Sequence, residues 1–398
     1  MSEQTGTPTR KTAVVVGGGY GGFSTARALD ELVDVTLVEQ RDAFVHNVAA
    51  LRAVVEPGVL PDVFLPYDHL LHHGRVVHDR AVQVDAGRVV LASGTELNPD
   101  YLVLATGSRY PYPAKTESHD RASAMERYRE THEQMLRAQR VLILGAGPVG
   151  IELAGEISSA WPDKSITITD PQPDIIAGPF KQELREELRR QLEARGIELV
   201  LGTGLEAEPA TEPGVMEPFD VRTNDGRRLE ADIWFRCYGV TPVSDYLTGE
   251  LAKARRPDGF IEVNPQLQVA GQKRVFALGD VSTIDAKMAG RASQQAAIVA
   301  ANIQAMIEQT PLQTYEPMPP VIVIPLGPDG GAAQLPGQDE VGGAEVASAI
   351  KGGDLLVHRY RELFGLEPAA TTLRARAGRG IMIARAARQR CAVACSPS

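Results

Sequence analysis

Cysteine is scarce in this sequence. The chain has 398 residues and only three cysteines, Cys237, Cys391 and Cys395. Three thiols are too few for a disulfide framework or for a zinc site with four thiolates. Such usage is typical of a protein in a reducing, cytoplasmic compartment. A chain of this length can build the cores of two or three domains without such cross-links.

Long hydrophobic runs are also absent. No run approaches the ~18 apolar residues that a membrane-spanning helix needs. The first twelve residues are polar, which predicts that they are not a secretory signal. Ser2 stands where N-terminal myristoylation requires glycine. The sequence therefore predicts no transmembrane segment and no lipid anchor of this kind.

Acidic residues are absent after Glu367, although the whole chain has a net charge of −10. We therefore separate residues 367–398 as a basic tail and predict that it is disordered. Its charge leaves peripheral contact with anionic lipid as an alternative. The acidic remainder of the chain disfavours nucleic-acid binding. The tail holds six arginines: Arg374, Arg376, Arg379, Arg385, Arg388 and Arg390.

Glycine is abundant, with 38 residues, and two similar segments each contain a short glycine cluster. Residues 12–40 read TAVVVGGGYGGFSTARALDELVDVTLVEQ, and residues 140–170 read RVLILGAGPVGIELAGEISSAWPDKSITITD. Each has a β-branched run, a glycine-rich turn, a helical stretch and a second β-branched run. This pattern predicts two βαβ units and therefore an α/β fold with parallel sheets.

The first unit carries the pattern Gly17-x-Gly19-x-x-Gly22 directly after its first strand. One glycine permits the tight turn, one lets the backbone approach a pyrophosphate, and one lets helix and strand pack closely. Glu39 ends the second strand, where a carboxylate accepts hydrogen bonds from a ribose 2′-hydroxyl. The segment predicts a dinucleotide site.

The second unit repeats the pattern as Gly145-x-Gly147-x-x-Gly150, with Asp170 at the end of its second strand. An acid at this position favours NADH over NADPH, because it repels a 2′-phosphate. Two nearby lysines leave NADPH open as an alternative: Lys164 and Lys181.

Two dinucleotide sites in one chain suggest FAD at the first and a nicotinamide at the second. Thr106 and Gly107 follow a buried strand at a turn, which fits the FAD side. Asp280 ends another strand, where it could accept hydrogen bonds from the ribityl hydroxyls or cap a following helix. Helices are also predicted at 181–195 and 293–308, and strands at 321–326 and 354–359.

The motifs GGGYGG, ATG, GAGPVG and ALGD occur in order. Because of these motifs, the sequence resembles the pyridine nucleotide–disulfide oxidoreductase superfamily of flavoproteins. It is most similar to the apoptosis-inducing-factor-like, ferroptosis-suppressor-type family of FAD-dependent NAD(P)H:quinone oxidoreductases. This similarity rests on four features: the segment RDAFVHNVAALRA, Glu152, Lys351, and the segment LGPDGGAAQLPG at 326–337.

The resemblance implies roles for individual residues. Glu152 and Lys351 would lie at the active centre, where Lys351 could stabilise negative charge. His46 would lie in the flavin environment, and the backbone of Val76 would lie against adenine. The implied FAD contacts are Gly17, Gly19, Gly22, Glu39, Arg52, Val76 and Asp280.

The sequence departs from part of the superfamily. The disulfide reductases carry a CxxxxC pair after the first βαβ unit, whereas this chain has FVHNVAALRAVV there. A dithiol relay is therefore excluded, and sulfide oxidation would also need cysteines. Cys237 is predicted to be a small core residue. No metal is predicted, because the following histidines lack a ligand pattern: His69, His72, His73 and His78.

These observations predict two Rossmann-like domains and a small C-terminal α+β domain. The FAD domain is discontinuous, at 11–113 and 238–315; the NAD(H) domain covers 114–237 and the C-terminal domain 316–366. The predicted activity is hydride transfer from NADH to flavin and electron transfer to a quinone or similar acceptor. Three alternatives remain: a reductase for a ferredoxin-like protein, a biosynthetic flavoenzyme, and an NADH-sensing interaction protein.

Overall fold

The computed structural model describes residues 10–368. The predicted tail, with its six arginines and two cysteines, lies outside these residues apart from 367 and 368. The strands of the described chain are β1 (Thr12–Val16), β2 (Asp34–Glu39), β3 (Ala43–Val45), β4 (Phe64–Pro66), β5 (Arg75–His78), β6 (Ala81–Asp85), β7 (Arg88–Leu91), β8 (Glu96–Leu97), β9 (Tyr101–Leu104), β10 (Ser108–Arg109), β11 (Arg140–Leu144), β12 (Ser165–Asp170), β13 (Glu198–Leu201), β14 (Phe219–Arg222), β15 (Arg228–Ala231), β16 (Ile233–Arg236), β17 (Thr241–Pro242), β18 (Val275–Ala277), β19 (Ile322–Leu326) and β20 (Gly330–Gln334).

Helices connect these strands. They are α1 (Tyr20–Leu29), α2 (Asn47–Ala53), α3 (Leu60–Val63), α4 (Arg121–Arg137), α5 (Pro148–Ala160), α6 (Gln182–Ala194), α7 (Ala289–Glu308), α8 (Ala344–Ala347) and α9 (Val357–Leu363). Short 3₁₀ turns lie at Pro57–Val59, Leu251–Ala254 and Gly279–Val281, and a π-helix covers Ser348–Gly352.

The described residues divide into two compact units. The first contains residues 10–44, Pro66–Arg109 and Val240–Pro317; the second contains Val45–Leu65, Tyr110–Gly239 and residues 318–368. The sequence assigned 45–65 to the FAD domain and treated 316–366 as separate, whereas here both segments group with the second unit. The second unit therefore holds His46 and Arg52 as well as Glu152 and Lys351.

The first unit is built on a five-stranded sheet in the order β18-β9-β1-β2-β5. All of its paired strands run parallel, with Val16 opposite both Val38 and Leu104. The β-branched run of β1 forms the centre of this sheet because it is buried on both faces. Helix α1 packs against α7, and the unit also contains an antiparallel sheet of β6, β7 and β8 and the antiparallel pair β10–β17.

The second unit contains a parallel sheet in the order β13-β12-β11-β16. Apolar residues of this sheet and of the β14–β15 hairpin, among them Leu142, Leu144 and Trp234, form its core cluster. The β19–β20 hairpin belongs to the same unit, and β19 packs on α5 while β20 packs on α6. In both parallel sheets the chain order reverses beside the first strand, which is where dinucleotides bind in such folds.

One predicted strand is wrong. The sequence favoured extended structure at 354–359, but the chain turns there and α9 begins at Val357. Leu355 and Leu356 both adopt left-handed backbone angles, with φ of 53° and 63°. The side-chain contacts that hold this turn come from residues far away in the sequence, so local pattern could not reveal it.

Candidate functional site

The first glycine loop has the shape of a phosphate cradle. A Cβ atom at Gly17, where φ is 99°, would lie 2.6 Å from the carbonyl oxygen of Ala105. A Cβ at Gly22 would lie 1.7 Å from the carbonyl oxygen of Gly17. A Cβ at Gly19 would meet nothing within 4 Å. The outer glycines are thus required by packing, and the middle one borders open space at the start of α1, whose N–H groups suit a phosphate.

The second glycine loop repeats this geometry in the other unit. A Cβ at Gly145, where φ is 112°, would lie 2.6 Å from the carbonyl oxygen of Cys237. A Cβ at Gly150 would lie 2.0 Å from the carbonyl oxygen of Gly145, and one at Gly147 would again meet nothing within 4 Å. Helix α5 begins directly after Gly147. Both loops therefore fit a dinucleotide pyrophosphate.

The acid at the end of each second strand is hydrogen-bonded to its own glycine loop. Glu39 Oε2 accepts a hydrogen bond from the backbone N–H of Gly18 at 2.5 Å, and Asp170 Oδ2 accepts one from Ala146 at 2.7 Å. The other oxygen of each carboxylate accepts from the N–H two residues further along the chain. This contact was not foreseen from the sequence. It holds each acid beside the cradle, where a ribose hydroxyl would bind.

Two further predicted FAD residues of the first unit follow the neighbouring strands β9 and β18. Thr106 follows β9, and its hydroxyl donates to the carbonyl of Val243 at 2.6 Å. Asp280 follows β18 and accepts a hydrogen bond from Ser108 Oγ at 2.7 Å. Since the strands are parallel, these residues share the carboxyl edge of the sheet with Gly17.

Other details of that edge refine the predictions. Asp280 does not cap the following long helix, because α7 begins only at Ala289. Gly107 has a φ of 67°, which a glycine adopts without strain. Val76 lies within β5, the edge strand next to β2, with its backbone opposite Leu37.

Glu152 and Lys351 form an ion pair within the second unit. Lys351 Nζ donates to Glu152 Oε1 at 2.6 Å, and the two side chains are only 17% and 12% exposed. Glu152 lies in the second turn of α5, and Lys351 lies on the π-helix. Burial raises the pKa of the Glu152 carboxyl, and the charge of Lys351 opposes that rise. The fold thus joins two residues that are distant in sequence.

A second, more deeply buried ion pair lies beside the first. The guanidinium of Arg52 binds the carboxylate of Glu156 through two hydrogen bonds, at 3.0 Å from Nε and 2.9 Å from Nη2. Glu156 follows Glu152 by one helical turn on α5. Sequence reasoning missed Glu156; its spacing from Glu152 was the available signal, because residues four apart share a helix face.

His46 is fully buried in the same unit. Its Nε2 donates to the carbonyl oxygen of Leu355 at 2.8 Å, and its ring lies 4.4 Å from that of Tyr360. Burial lowers the pKa of His46 to about 4, so the imidazole is neutral at pH 7. The contact with Leu355 is a structural role that the sequence did not indicate.

Two lysines near the second site made NADPH an alternative donor, and both donate hydrogen bonds elsewhere. Lys164 Nζ donates to the carbonyl of Ala138, which lies at the amino edge of the sheet, opposite to Asp170. Lys181 Nζ donates to the carbonyls of Gln338 at 3.3 Å and of Asp339. Neither ammonium group is directed to Asp170 by these contacts.

Cys237 is the one cysteine within residues 10–368, and it is buried. Burial raises the pKa of its thiol, which keeps the thiol protonated and unreactive. Within the same residues, no group of three or more His, Cys, Asp or Glu side chains could hold a metal ion. None of the described helices has the length and apolar character needed to cross a membrane.

The family model of the pyridine nucleotide-disulphide oxidoreductases matches residues 11–302. The chain belongs to this family. It is 32% identical to ferroptosis suppressor protein 1 of Taeniopygia guttata, across 88% of this chain and 95% of that protein. It is 28% identical to apoptosis-inducing factor homolog A of Dictyostelium discoideum, across 89% and 92%. Its fold matches the sulfide:quinone oxidoreductase of Aquifex aeolicus with a TM-score of 0.69 at 19% identity, across 89% and 92%.

Family membership and the two cradles confirm several predictions. The resemblance and the fold class with two Rossmann-like domains are confirmed. The protein is an FAD-dependent oxidoreductase, and its cofactors are FAD and NAD(H). The individual site residues remain predictions, and so does the four-part division of the chain.

Proposed function

We propose that this flavoprotein oxidises NADH and reduces a quinone or a similar small acceptor. Bound FAD supplies the redox chemistry that links a two-electron donor to such an acceptor. The observation that carries the proposal is the buried pair of Glu152 and Lys351, two residues that the resemblance to NAD(P)H:quinone oxidoreductases assigns to the active centre.

The chain's own residues have distinct tasks in this proposal. The first glycine loop and Glu39 hold the FAD pyrophosphate and ribose, and Asp280 accepts hydrogen bonds from the ribityl chain. The second glycine loop holds the NADH pyrophosphate, and Asp170 accepts from the adenosine ribose. The two glycine loops are preformed by backbone geometry, and hydrogen bonds hold the carboxylates of Glu39, Asp170 and Asp280, so binding requires little rearrangement.

The Lys351 ammonium supplies positive charge in a largely water-excluded position. Such a charge stabilises an oxygen on which negative charge develops during acceptor reduction. Glu152 keeps Lys351 in one orientation by accepting its hydrogen bond. The burial that raises the pKa of Glu152 also brings its carboxyl closer to a form that can exchange a proton with a reduced acceptor.

Charge argues against the main alternative. A reductase for a ferredoxin-like protein needs a basic docking face, whereas the whole chain has a net charge of −10. The structural neighbour from Aquifex aeolicus is a sulfide:quinone oxidoreductase, and sulfide oxidation needs reactive thiols. Within the described residues the chain offers only buried Cys237. A biosynthetic flavoenzyme and an NADH-sensing interaction protein are left as outcomes of the test.

The test measures turnover of the FAD-loaded protein with NADH and a panel of acceptors, in the wild type and in Lys351→Met. We expect turnover with soluble short-chain quinones, weak turnover with ferredoxin, and a fall of about tenfold or more in quinone kcat for the variant, since one lost charge contact contributes ~1.4 kcal/mol or more. FAD content should be unchanged. Slow turnover with every acceptor together with NADH-dependent dimerisation would favour the sensing protein, and normal quinone kinetics in Lys351→Met would exclude Lys351 from the reaction.

A further inference from the structure

Lys351 stands on an unusual piece of backbone. It belongs to the π-helix Ser348–Gly352, a rare conformation that often occurs at functional sites. Four and five residues after Lys351, Leu355 and Leu356 occupy the left-handed region, which is unfavourable for residues with a side chain. We call residues 351–356 the Lys351 turn. Such a segment keeps its shape only where neighbouring groups impose it.

Two buried side chains impose this shape, one from the residue before α2 and one from the last turn of α2. Arg52 donates to the carbonyl oxygens of Gly352 at 2.7 Å and of Gly353 at 3.3 Å. His46 donates to the carbonyl oxygen of Leu355 at 2.8 Å. Three carbonyls of the Lys351 turn are therefore bound by side chains about 300 positions earlier in the sequence.

Arg52 also binds the helix that carries Glu152. Its two hydrogen bonds to Glu156 fix it to α5, and the side chains of this pair are only 1% and 5% exposed. Four of the five N–H donors of its guanidinium are thereby used, two on Glu156 and two on the Lys351 turn. Arg52 thus joins the turn that carries Lys351 to the helix that carries Glu152.

A buried ion pair is costly to form, and its value often lies in fixing one arrangement. A lysine could neutralise Glu156, but its single ammonium lacks the planar fork that reaches a carboxylate and two carbonyls together. The arrangement therefore uses the geometry of arginine as well as its charge.

We propose that Arg52 is a positioning residue, which acts by holding the Lys351 turn against α5 so that Lys351 and Glu152 meet. The expected fall in quinone kcat rests on the proposed function, whereas the expected loss of contact between Lys351 and Glu152 does not. The positioning role differs from the expectation that Arg52 contacts FAD directly, because that expectation predicts loss of FAD when Arg52 is replaced.

Two variants separate geometry from charge. Arg52→Lys keeps a positive group for Glu156 and removes the fork. The double variant Arg52→Met with Glu156→Met removes the whole pair and leaves no buried charge behind. The matched control is Arg361→Met with Asp62→Asn, which removes another ion pair of the second unit, 2.7 Å long, without touching the carbonyls of the Lys351 turn.

The first readout is the rate at which acetic anhydride acylates Lys351, followed by peptide mass spectrometry, with exposed Lys253 as the internal reference. We expect the rate at Lys351 to rise about fivefold in both Arg52 variants, a change that corresponds to about 1 kcal/mol of lost pairing. The rate at Lys253 should stay constant, and the control variant should label like the wild type. This readout does not depend on which acceptor the enzyme uses.

The second readout is the FAD content and the kinetics of the same proteins. We expect FAD content and the KM for NADH to stay within about twofold, while quinone kcat falls about tenfold. Loss of FAD with unchanged labelling of Lys351 would overturn the proposal in favour of a direct FAD contact. Wild-type labelling in Arg52→Lys would also overturn it, and this variant decides the matter if the double variant does not fold. Increased labelling without quinone turnover in the wild type would support the positioning role and reject the proposed acceptor.

Discussion

At the scale of single residues, the two acids Glu39 and Asp170, which we propose bind a ribose, also bind the backbone of their own glycine loops. Each binds a backbone N–H of its glycine loop with one oxygen and a second N–H with the other. The carboxylate therefore fixes the loop whose shape the pyrophosphate needs. Substitution of either acid should affect the loop as well as the ribose contact, and a good experiment has to separate these effects.

Asp170 offers that separation. We expect Asp170→Ala to lower the ratio of kcat/KM for NADH over NADPH about tenfold, because it removes a charge-assisted hydrogen bond and the repulsion of a 2′-phosphate. Asp170→Asn is the matched control, since its amide oxygen can still accept from Ala146. It should relax the cofactor preference and lose less stability than Asp170→Ala, because it loses only the hydrogen bond from the Gln172 N–H, which an amide NH2 cannot accept. Steady-state kinetics with both nucleotides provide the check, and an unchanged ratio in both variants would reject Asp170 as the specificity residue.

At the scale of elements, the two βαβ units have the same glycine-loop geometry. At the first and third glycines of each loop a Cβ atom would collide with backbone atoms, whereas the middle glycine borders open space. The three positions therefore differ in their sensitivity to an added methyl group. We expect packing to decide the effect of an added methyl group at the outer positions, and ligand contact to decide it at the middle position.

This division predicts opposite behaviour for two alanine variants of the second loop. Gly150→Ala should lower Tm, because its Cβ would lie 2.0 Å from the Gly145 carbonyl oxygen. Gly147→Ala should keep the wild-type Tm but weaken NADH binding about tenfold by crowding the phosphates at the start of α5.

Gly19→Ala is the corresponding control, which should reduce FAD content and leave NADH affinity unchanged. Normal NADH affinity in Gly147→Ala, measured by fluorescence titration, would show that the phosphates do not bind there.

The sequence predicted these elements well because their signals are local. A β-branched run, a glycine turn and a terminal acid lie within about thirty residues, as dinucleotide-binding units require. The Lys351 turn was misread for the opposite reason. DLLVHR at 354–359 contains the apolar run of a strand, but His46 binds the carbonyl of Leu355, and Arg52 binds the carbonyls of Gly352 and Gly353 just before it. Leu355 and Leu356 are left-handed there instead of extended. The pairing of Arg52 with Glu156 is equally non-local, so the sequence could name Arg52 without revealing its partner.

At the scale of the whole molecule, the chain carries two nucleotide units and a buried pair of charges, without a reactive thiol in the described residues. Chemistry that depends on a dithiol is therefore unavailable to these residues. The route that we propose is direct transfer between the bound cofactors and a small acceptor, and we propose that Glu152 and Lys351 assist it. The central claim is thus about order: NADH gives electrons first and a quinone takes them second.

Stopped-flow spectroscopy of the FAD-loaded protein tests this order most directly. NADH, mixed anaerobically in the first push, should bleach the flavin absorbance near 450 nm on the timescale of turnover, at roughly 1–10³ s⁻¹. A soluble quinone in the second push should restore it at a rate that accounts for steady-state kcat, and oxidised ferredoxin should restore it far more slowly. Flavin that NADH leaves oxidised, or reduced flavin that quinone leaves bleached, would contradict the account.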